Sequence, residues 1–391
     1  MPEVRFKGFT DDWEQRKLRK VACINPKTNI PDNFKYVDLE SVVGTSLIKA
    51  KLTTKQLAPS RAQRVAKKGD IFYQTVRPYQ KNNFLFDINN YDFQYVFSTG
   101  YAQLRSEINN YFLFSYLQRQ RFVNLILRRS TGTSYPAISS KDLSEIKIIF
   151  PRNSKEQENI GKIINLIDAL ITLQQRKLKQ LKQLKKAMLQ QLFVDKNCKQ
   201  PILRFKNFND NWEERKLSDI ANYRNGKAHE QYIDMNGIYT VVNSKFISTN
   251  GKVKKFSNKP IELLKKGEIA FVLSDVPNGK ALAKTYLIDS DNKYSLNQRI
   301  AGITPSSDIN SYFLYILMNR NRYFLKFDDG VGQTNLSKKD IEKFKENYPL
   351  FDEQQKIANL FSKIQTLITR QQNKLNQLIA LKKYLLQNLF I

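Results

Sequence analysis

The chain has 391 residues, 41% of them hydrophobic and 12% aromatic, which is enough for two or more domains with real cores and too apolar for a disordered chain. Its formal net charge is +29, from 65 Lys and Arg against 36 Asp and Glu, and a folded protein this basic is expected to meet a polyanion, nucleic acid foremost. Two cysteines, Cys23 and Cys198, with no CxxC spacing, argue against a disulfide framework and a zinc site.

The start, Met1 to Arg5, carries no apolar signal core. No window approaches the roughly 18 apolar residues of a membrane span. A cytoplasmic protein with no membrane partner is expected.

The first segment already shows the organising feature. Residues 4–22 read VRFKGFTDDWEQRKLRKVA and residues 203–221 read LRFKNFNDNWEERKLSDIA, identical at 11 of 19 positions at an offset of 199. A fixed offset marks an internal repeat. Further on, Lys68-Gly69-Asp70-Ile71 matches Lys266-Gly267-Glu268-Ile269, and Ile108 to Phe114 matches Ile309 to Tyr315. Lys141-Asp142-Leu143 matches Lys339-Asp340-Ile341. Between these, residues 23–67 and 222–265 share little. One frame carrying two divergent surfaces suits two related binding tasks with different targets; drift at unconstrained loops is the alternative.

Each copy opens with a globular α+β unit of short β-branched and aromatic runs, such as Asp70 to Val76 and Glu268 to Leu273. A helical segment is predicted over about 110–127 and again over about 310–326. The loop Arg77-Pro78-Tyr79-Gln80-Lys81-Asn82 follows the first of these strands, and Ser274 to Lys280, with Asn278 and Lys280, follows the second. Such residues suit base edges, Arg and Lys toward guanine and Asn and Gln toward adenine, and they also favour ordinary turns. Arg77, Tyr79, Lys81, Asn278 and Lys280 are candidate DNA contacts, with Arg61, Arg64, Asn243, Ser244, Lys245, Gln298 and Arg299. The equivalent segments 131–135 and 332–335 offer hydroxyls and amides to phosphates.

Each copy ends in a long predicted helix, about 156–193 and about 353–390, set off by Pro151 or Pro349. Ile164, Ile167, Ile171, Leu178, Leu181, Met188 and Leu192 follow the alternating three- and four-residue steps of a heptad, and so do Phe361, Ile364, Ile368, Leu375, Leu378, Leu385 and Leu389. Both seams carry Gln (Gln174, Gln371) and Lys (Lys185, Lys382) at equivalent steps. A polar seam residue fixes register at a cost in stability, so the two helices are expected to pack on each other. A fully helical segment of this length spans about 57 Å, so the pair can act as a ruler on DNA, whose grooves repeat every ~34–36 Å. Arg176, Lys177, Lys179, Lys182 and Lys186 form a basic run that either faces phosphates or is a solvated face.

Catalytic signatures are missing. The single histidine, His229, has no histidine partner and no cysteine near it, and is expected at the surface. There is no P-loop, no GxGxxG and no Asn-Pro-Pro-Tyr segment of an amino-methyltransferase. Glu145-Ile146-Lys147 has a Glu-x-Lys spacing found in metal-dependent nucleases; it falls in a predicted strand whose copy reads Glu342-Lys343-Phe344. No catalytic residue and no metal site is assigned. A nuclease using Glu145 and Lys147, and a DNA-bridging protein without sequence preference, are the competing readings.

The order of head, helix, head, helix, the motif Phe-x-x-Phe-x-x-x-Trp-x-x-x-x-Leu (Phe6 to Leu18, Phe205 to Leu217) and the Glu-Gln-x-x-Ile run after each proline (Glu156 to Ile160, Glu353 to Ile357) resemble the specificity subunit of type I restriction–modification systems over essentially the whole chain. The resemblance implies an α+β fold: two α/β target recognition domains joined by two long antiparallel, coiled-coil-like helices in a pseudo-twofold internal repeat. Residues 1–152 and 198–350 would be the recognition domains, 153–197 and 351–391 the spacer helices. It implies that each domain reads one half of a split, asymmetric site on double-stranded DNA. It further implies two adenine methyltransferase subunits docked on the helices, separate motor-endonuclease subunits, and no cofactor on this chain, with S-adenosylmethionine, ATP and Mg on the partners. The sequence stops at Ile391 after the second helix, and no contact by a further tail is expected.

Overall fold

The structure is a computed structural model and describes residues 2–194 and 198–391. It divides into two compact units, Met1–Lys177 with Gln371–Ile391, and Leu178–Arg370. Each unit therefore takes one globular head and a part of each long helix.

In the first unit, the strand Trp13–Lys17 pairs antiparallel with Lys147–Pro151, so the beginning of the head is tied to its end. One antiparallel sheet has the order Ala22–Ile24, Tyr101–Ser106, Ile71–Gln74, Phe84–Leu85. A second runs Lys51–Thr54, Asn33–Val37, Gln94–Ser98, Ala62–Val65, with Gln94–Ser98 parallel to Asn33–Val37. Phe72, Phe86, Phe97 and Tyr101, all fully buried, form an aromatic cluster under these sheets.

The second unit repeats this plan. Glu213–Lys216 pairs with Lys345–Tyr348. Its first sheet is Ala221–Asn225, Ile300–Pro305, Ile269–Val272, Thr285–Leu287, and its second is Phe256–Ser257, Tyr239–Val242, Tyr294–Leu296, Leu263–Leu264. The parallel strand pairing recurs between Tyr239–Val242 and Tyr294–Leu296. The topology is thus duplicated even across residues 23–67 and 222–265, where the sequences are dissimilar.

The shared motifs are the joints of this frame. In Lys-Gly-Asp/Glu, Gly69 and Gly267 hold φ of +90° and +88°, a turn that a side chain would strain. The acid that follows closes the turn: Asp70 accepts from Lys67 N at 2.8 Å and from Arg105 Nε at 2.9 Å, and Glu268 accepts from Lys265 N and Arg224 Nη2, both at 2.6 Å. In Glu-Gln-x-x-Ile, Glu156 and Glu353 are buried and gripped by Nε and Nη2 of Arg5 and Arg204 respectively. The glutamine returns to the proline, with Gln157 Nε2 donating to Pro151 O at 2.8 Å and Gln354 Nε2 to Pro349 O at 2.9 Å. Ile160 and Ile357 enter the cores. Trp13 packs edge-on against Phe112, and Trp212 against Phe313 and Phe193.

The long helices span Ser154–Gln191 and Phe351–Asn388, 38 residues each. In the first unit Ile160 and Ile164, near the start of one, share a core with Leu389 and Phe390 at the end of the other; in the second, Leu192 meets Ile357, Ala358 and Phe361. The helices are therefore antiparallel. Ile164, Ile167, Leu178, Ile364 and Leu375 are buried, and Ile171, Leu181, Ile368 and Leu378 are partly buried. Within the first unit Gln371 Nε2 donates to Gln174 Oε1, and Lys382 meets Asp168 at 2.5 Å. Within the second, Lys185 Nζ donates to the neutral Gln365 at 2.8 Å. Burial pushes the Lys185 ammonium below its usual value, with no acid to oppose it.

Three sequence expectations change. His229 is not at the surface: it is 1% exposed, and its ring nitrogens lie 2.7 Å from Lys227 O and from Ser295 Oγ. The strand Tyr294–Leu296 supplies that partner across a span no sequence window contains. Glu145 is not in a strand. Ser139 caps a short helix, Ser140–Ser144, by accepting from Asp142 N at 3.0 Å, and the strand starts only at Lys147. The copy does the same, with a capping box from Ser337 and Asp340 before Lys338–Glu342. Finally, the predicted helix over 110–127 is two, Asn110–Leu117 and Gln120–Leu127, and that over 310–326 is Ser311–Met318 and Arg322–Leu325.

Candidate nucleic-acid interface

In the first head, backbone bonds draw several predicted contacts to one end of the sheets. Arg61 O accepts from Thr99 N at 2.8 Å, Gly100 O from Thr75 N at 3.0 Å, and Pro136 O from Arg77 N at 2.7 Å. The turn Pro78–Gln80 follows, with Arg77 and Lys81 both left-handed. The Arg77 guanidinium lies over the Tyr135 ring at 4.3 Å, a cation–π arrangement that holds both beside exposed Tyr79. The loop 77–81 and the segment 131–135, which sequence could only place separately, form one surface. Lys81 is partly buried, and burial, then repulsion from Lys382, pushes its ammonium down. Arg64 sits apart from this turn, in a cleft with residues 25–30, Lys55 and residues 58–60.

The second head builds its edge from different residues. Asn243 caps the helix Ser244–Ser248, accepting from Phe246 N at 2.8 Å, which leaves Lys245 exposed on its first turn. Asn297 N donates to Val242 O at 3.2 Å, bringing the turn with Gln298 and Arg299 beside Asn243. Leu273 N then donates to Arg299 O at 3.0 Å. Ser274–Asp275 pairs with Thr334–Asn335, and Gln333 Nε2 donates to Ser274 Oγ at 2.6 Å. Asn278 and Lys280 are exposed on a loop folded over Asp275, whose carboxylate accepts from Ala281 N and Leu282 N at 2.6 and 3.0 Å. Gln298 Nε2 is engaged by Glu230 at 2.7 Å.

The nuclease candidate Glu145 has other partners. Glu145 is ion-paired with Lys17 at 2.6 Å and Arg19 at 2.8 Å; the Lys17 hydrogen bond leads in holding its carboxyl below the usual range. No cluster of three or more metal-ligating side chains occurs among the described residues, and none of their helices is long and apolar enough to cross a membrane. Sequence reasoning passed over residues 25–30, Lys55 and Glu230; the signal available was the divergence of 23–67 from 222–265 inside a conserved frame.

The chain thus carries two copies of one sheet topology, each presenting its own polar edge, with an antiparallel pair of long helices. The family model described as type I restriction modification DNA specificity domain matches residues 10–183 and again residues 209–380, and the chain belongs to that family. It is similar to the type I restriction enzyme HindI specificity subunit of Haemophilus influenzae, 27% identical over 193 residues, 47% of this chain and 41% of that protein. It is also similar to the MjaVIII specificity subunit of Methanocaldococcus jannaschii, 26% identical over 282 residues, 65% of this chain and 64% of that protein. The matches thus span less than two thirds of either curated relative. Among solved structures, the type I restriction–modification S subunit from M. genitalium shares the fold, with a TM-score of 0.68 at 18% identity, covering 100% of this chain and 99% of that one.

Proposed function

We propose that this chain is the DNA-reading subunit of a type I restriction–modification complex, in which each head reads one half of a bipartite, asymmetric site and the helix pair sets the spacing. The observation that carries this reading is the contrast within the repeat: one topology twice, with unlike side chains at the edges. At the offset of 198 that relates Gly69 to Gly267 and Ser139 to Ser337, Arg77, Tyr79 and Tyr135 stand in the first head where Asp275, Pro277 and Gln333 stand in the second. One sheet topology carrying different hydrogen-bonding groups suits different base sequences.

The chemistry belongs to partners: adenine methyltransferase subunits using S-adenosylmethionine, and motor-endonuclease subunits using ATP and Mg. Exposed apolar side chains off the helix seam, among them Leu166, Leu173, Leu367, Leu381 and Tyr384, suit the docking of such subunits, because apolar surface of this kind marks contact sites. In the test, the chain is assembled with its methyltransferase and the methylated adenines are sequenced. Replacing residues 23–150 by those of another specificity subunit is expected to change one half of the methylated motif and leave the other half intact. An unchanged motif overturns the proposal.

A further inference from the structure

The two heads solve one electrostatic problem in opposite ways. In the second, Glu262 lies just before the strand Leu263–Leu264, and its carboxylate is met by Lys227 at 3.2 Å and Arg224 at 3.4 Å. Glu262 stands six residues before Glu268; the residue six before the matching Asp70 is Arg64. The sheets agree with that correspondence. Arg64 lies opposite Phe97 in the strand that runs parallel to Asn33–Val37, and Glu262 O accepts at 2.7 Å from Leu296 N in the strand that runs parallel to Tyr239–Val242. Lys227, at the offset of 199, falls on Thr28. The first head thus has a cation where the second has an acid.

Among the described residues, nothing in the first head answers that cation. Arg64 lines a cleft of about 700 Å³ together with Lys27, Thr28, Lys55, Ser60 and Gln63, and no Asp or Glu is among the lining residues. Arg64 Nε and Thr28 Oγ1 are buried without a hydrogen-bond partner. Asp70, the nearest acid along its strand connection, is already held by Gln103 and Arg105. Burial pushes the Arg64 guanidinium down, and a desolvated charge with no counter-charge costs free energy until one arrives. The donors are a guanidinium fork, a hydroxyl and two flanking ammonium groups, a set that matches a phosphate diester.

We propose that this cleft is a seat for a backbone phosphate of the bound DNA, built from Arg64, Thr28, Lys27 and Lys55, and present in the first head only. The proposal rests on the reading of the heads as DNA-binding. Phosphate contacts position a protein without specifying bases, so the seat anchors the first head on its half-site. The corresponding place in the second head is neutralised by its own Glu262.

The test uses the chain assembled with its methyltransferase, and equilibrium binding across a salt series to the methylated motif and to a scrambled duplex. Arg64→Gln is expected to weaken binding to both duplexes about tenfold and to lower the log–log salt slope by about one. Arg64→Lys keeps most of the slope. The double variant Thr28→Lys/Arg64→Glu copies the Glu262–Lys227 pair of the second head; it is expected to melt no lower than wild type and to lose affinity as Arg64→Gln does. Thermal melts of Arg64→Gln no lower than wild type set aside misfolding. An unchanged slope in Arg64→Gln and in the double variant overturns the phosphate seat. So does a loss confined to one base position, which would make Arg64 a base reader. A wild-type complex that binds both duplexes equally refutes the specificity reading instead, and leaves the slope comparison standing.

Discussion

Arg204 and Glu353 form the joint at which the start of the second repeat grips its long helix, and they offer a quantitative test of the frame. The two hydrogen bonds are 2.9 and 2.8 Å, and the side chains are 13% and 1% exposed. Arg204 Nη1 is buried without a partner, so even the intact pair leaves one donor unsatisfied. Arg204→Met strands a carboxylate that is almost wholly removed from water. Breaking one side of a buried pair costs about 3–5 kcal/mol, whereas replacing both sides with apolar groups of similar volume is often neutral or better. The single variant should therefore lower the Tm of the unit by about 10 °C, and Arg204→Met/Glu353→Leu should return to within about 1–2 kcal/mol of wild type. Urea unfolding of the four chains of the double-mutant cycle measures the coupling. A loss below about 1 kcal/mol in Arg204→Met, as for a surface pair, or a double variant as unstable as the sum of the singles, refutes the reasoning.

Two further predictions concern the helix seam. Gln371→Leu leaves the Gln174 amide without its seam partner, and urea unfolding should show a loss of about 1–3 kcal/mol; adding Gln174→Leu should recover it, and a double variant no better than the single would deny the bond a role. Lys185 faces neutral Gln365, whereas Lys382 faces Asp168. Because burial lowers the folded-state pKa of Lys185 from its ordinary 10.5, the unfolded chain binds more protons in the window between the two values, and stability rises with pH there. The gap between wild type and Lys185→Met should shift in favour of wild type as pH rises toward 10.5, and a pH-independent gap counts against the burial of that charge.

Much of the frame was legible because it is local or repeated. The heptad steps of Ile164 to Leu192 and Phe361 to Leu389 predict two long helices without any tertiary information, since a seam period is a property of consecutive residues. The duplication predicts two like heads, because each shared motif has a backbone task, as at Gly69 and Gly267, whose positive φ the turn requires. The Ser-x-x-Asp runs at Ser139 and Ser337 were equally local, and their caps explain why Glu145 ends a helix. What only the tertiary structure decided is which distant side chains meet. His229 is buried because Ser295 comes to it across 66 positions. Arg77 acquires Tyr135, and Arg64 lacks an acid where Glu262 has two cations. Pairing across such separations depends on sheet register and strand order rather than on any run of residues. The sequence by itself therefore determined the repeat, the helices and the excess of positive charge. The fold decided where that charge is left unanswered.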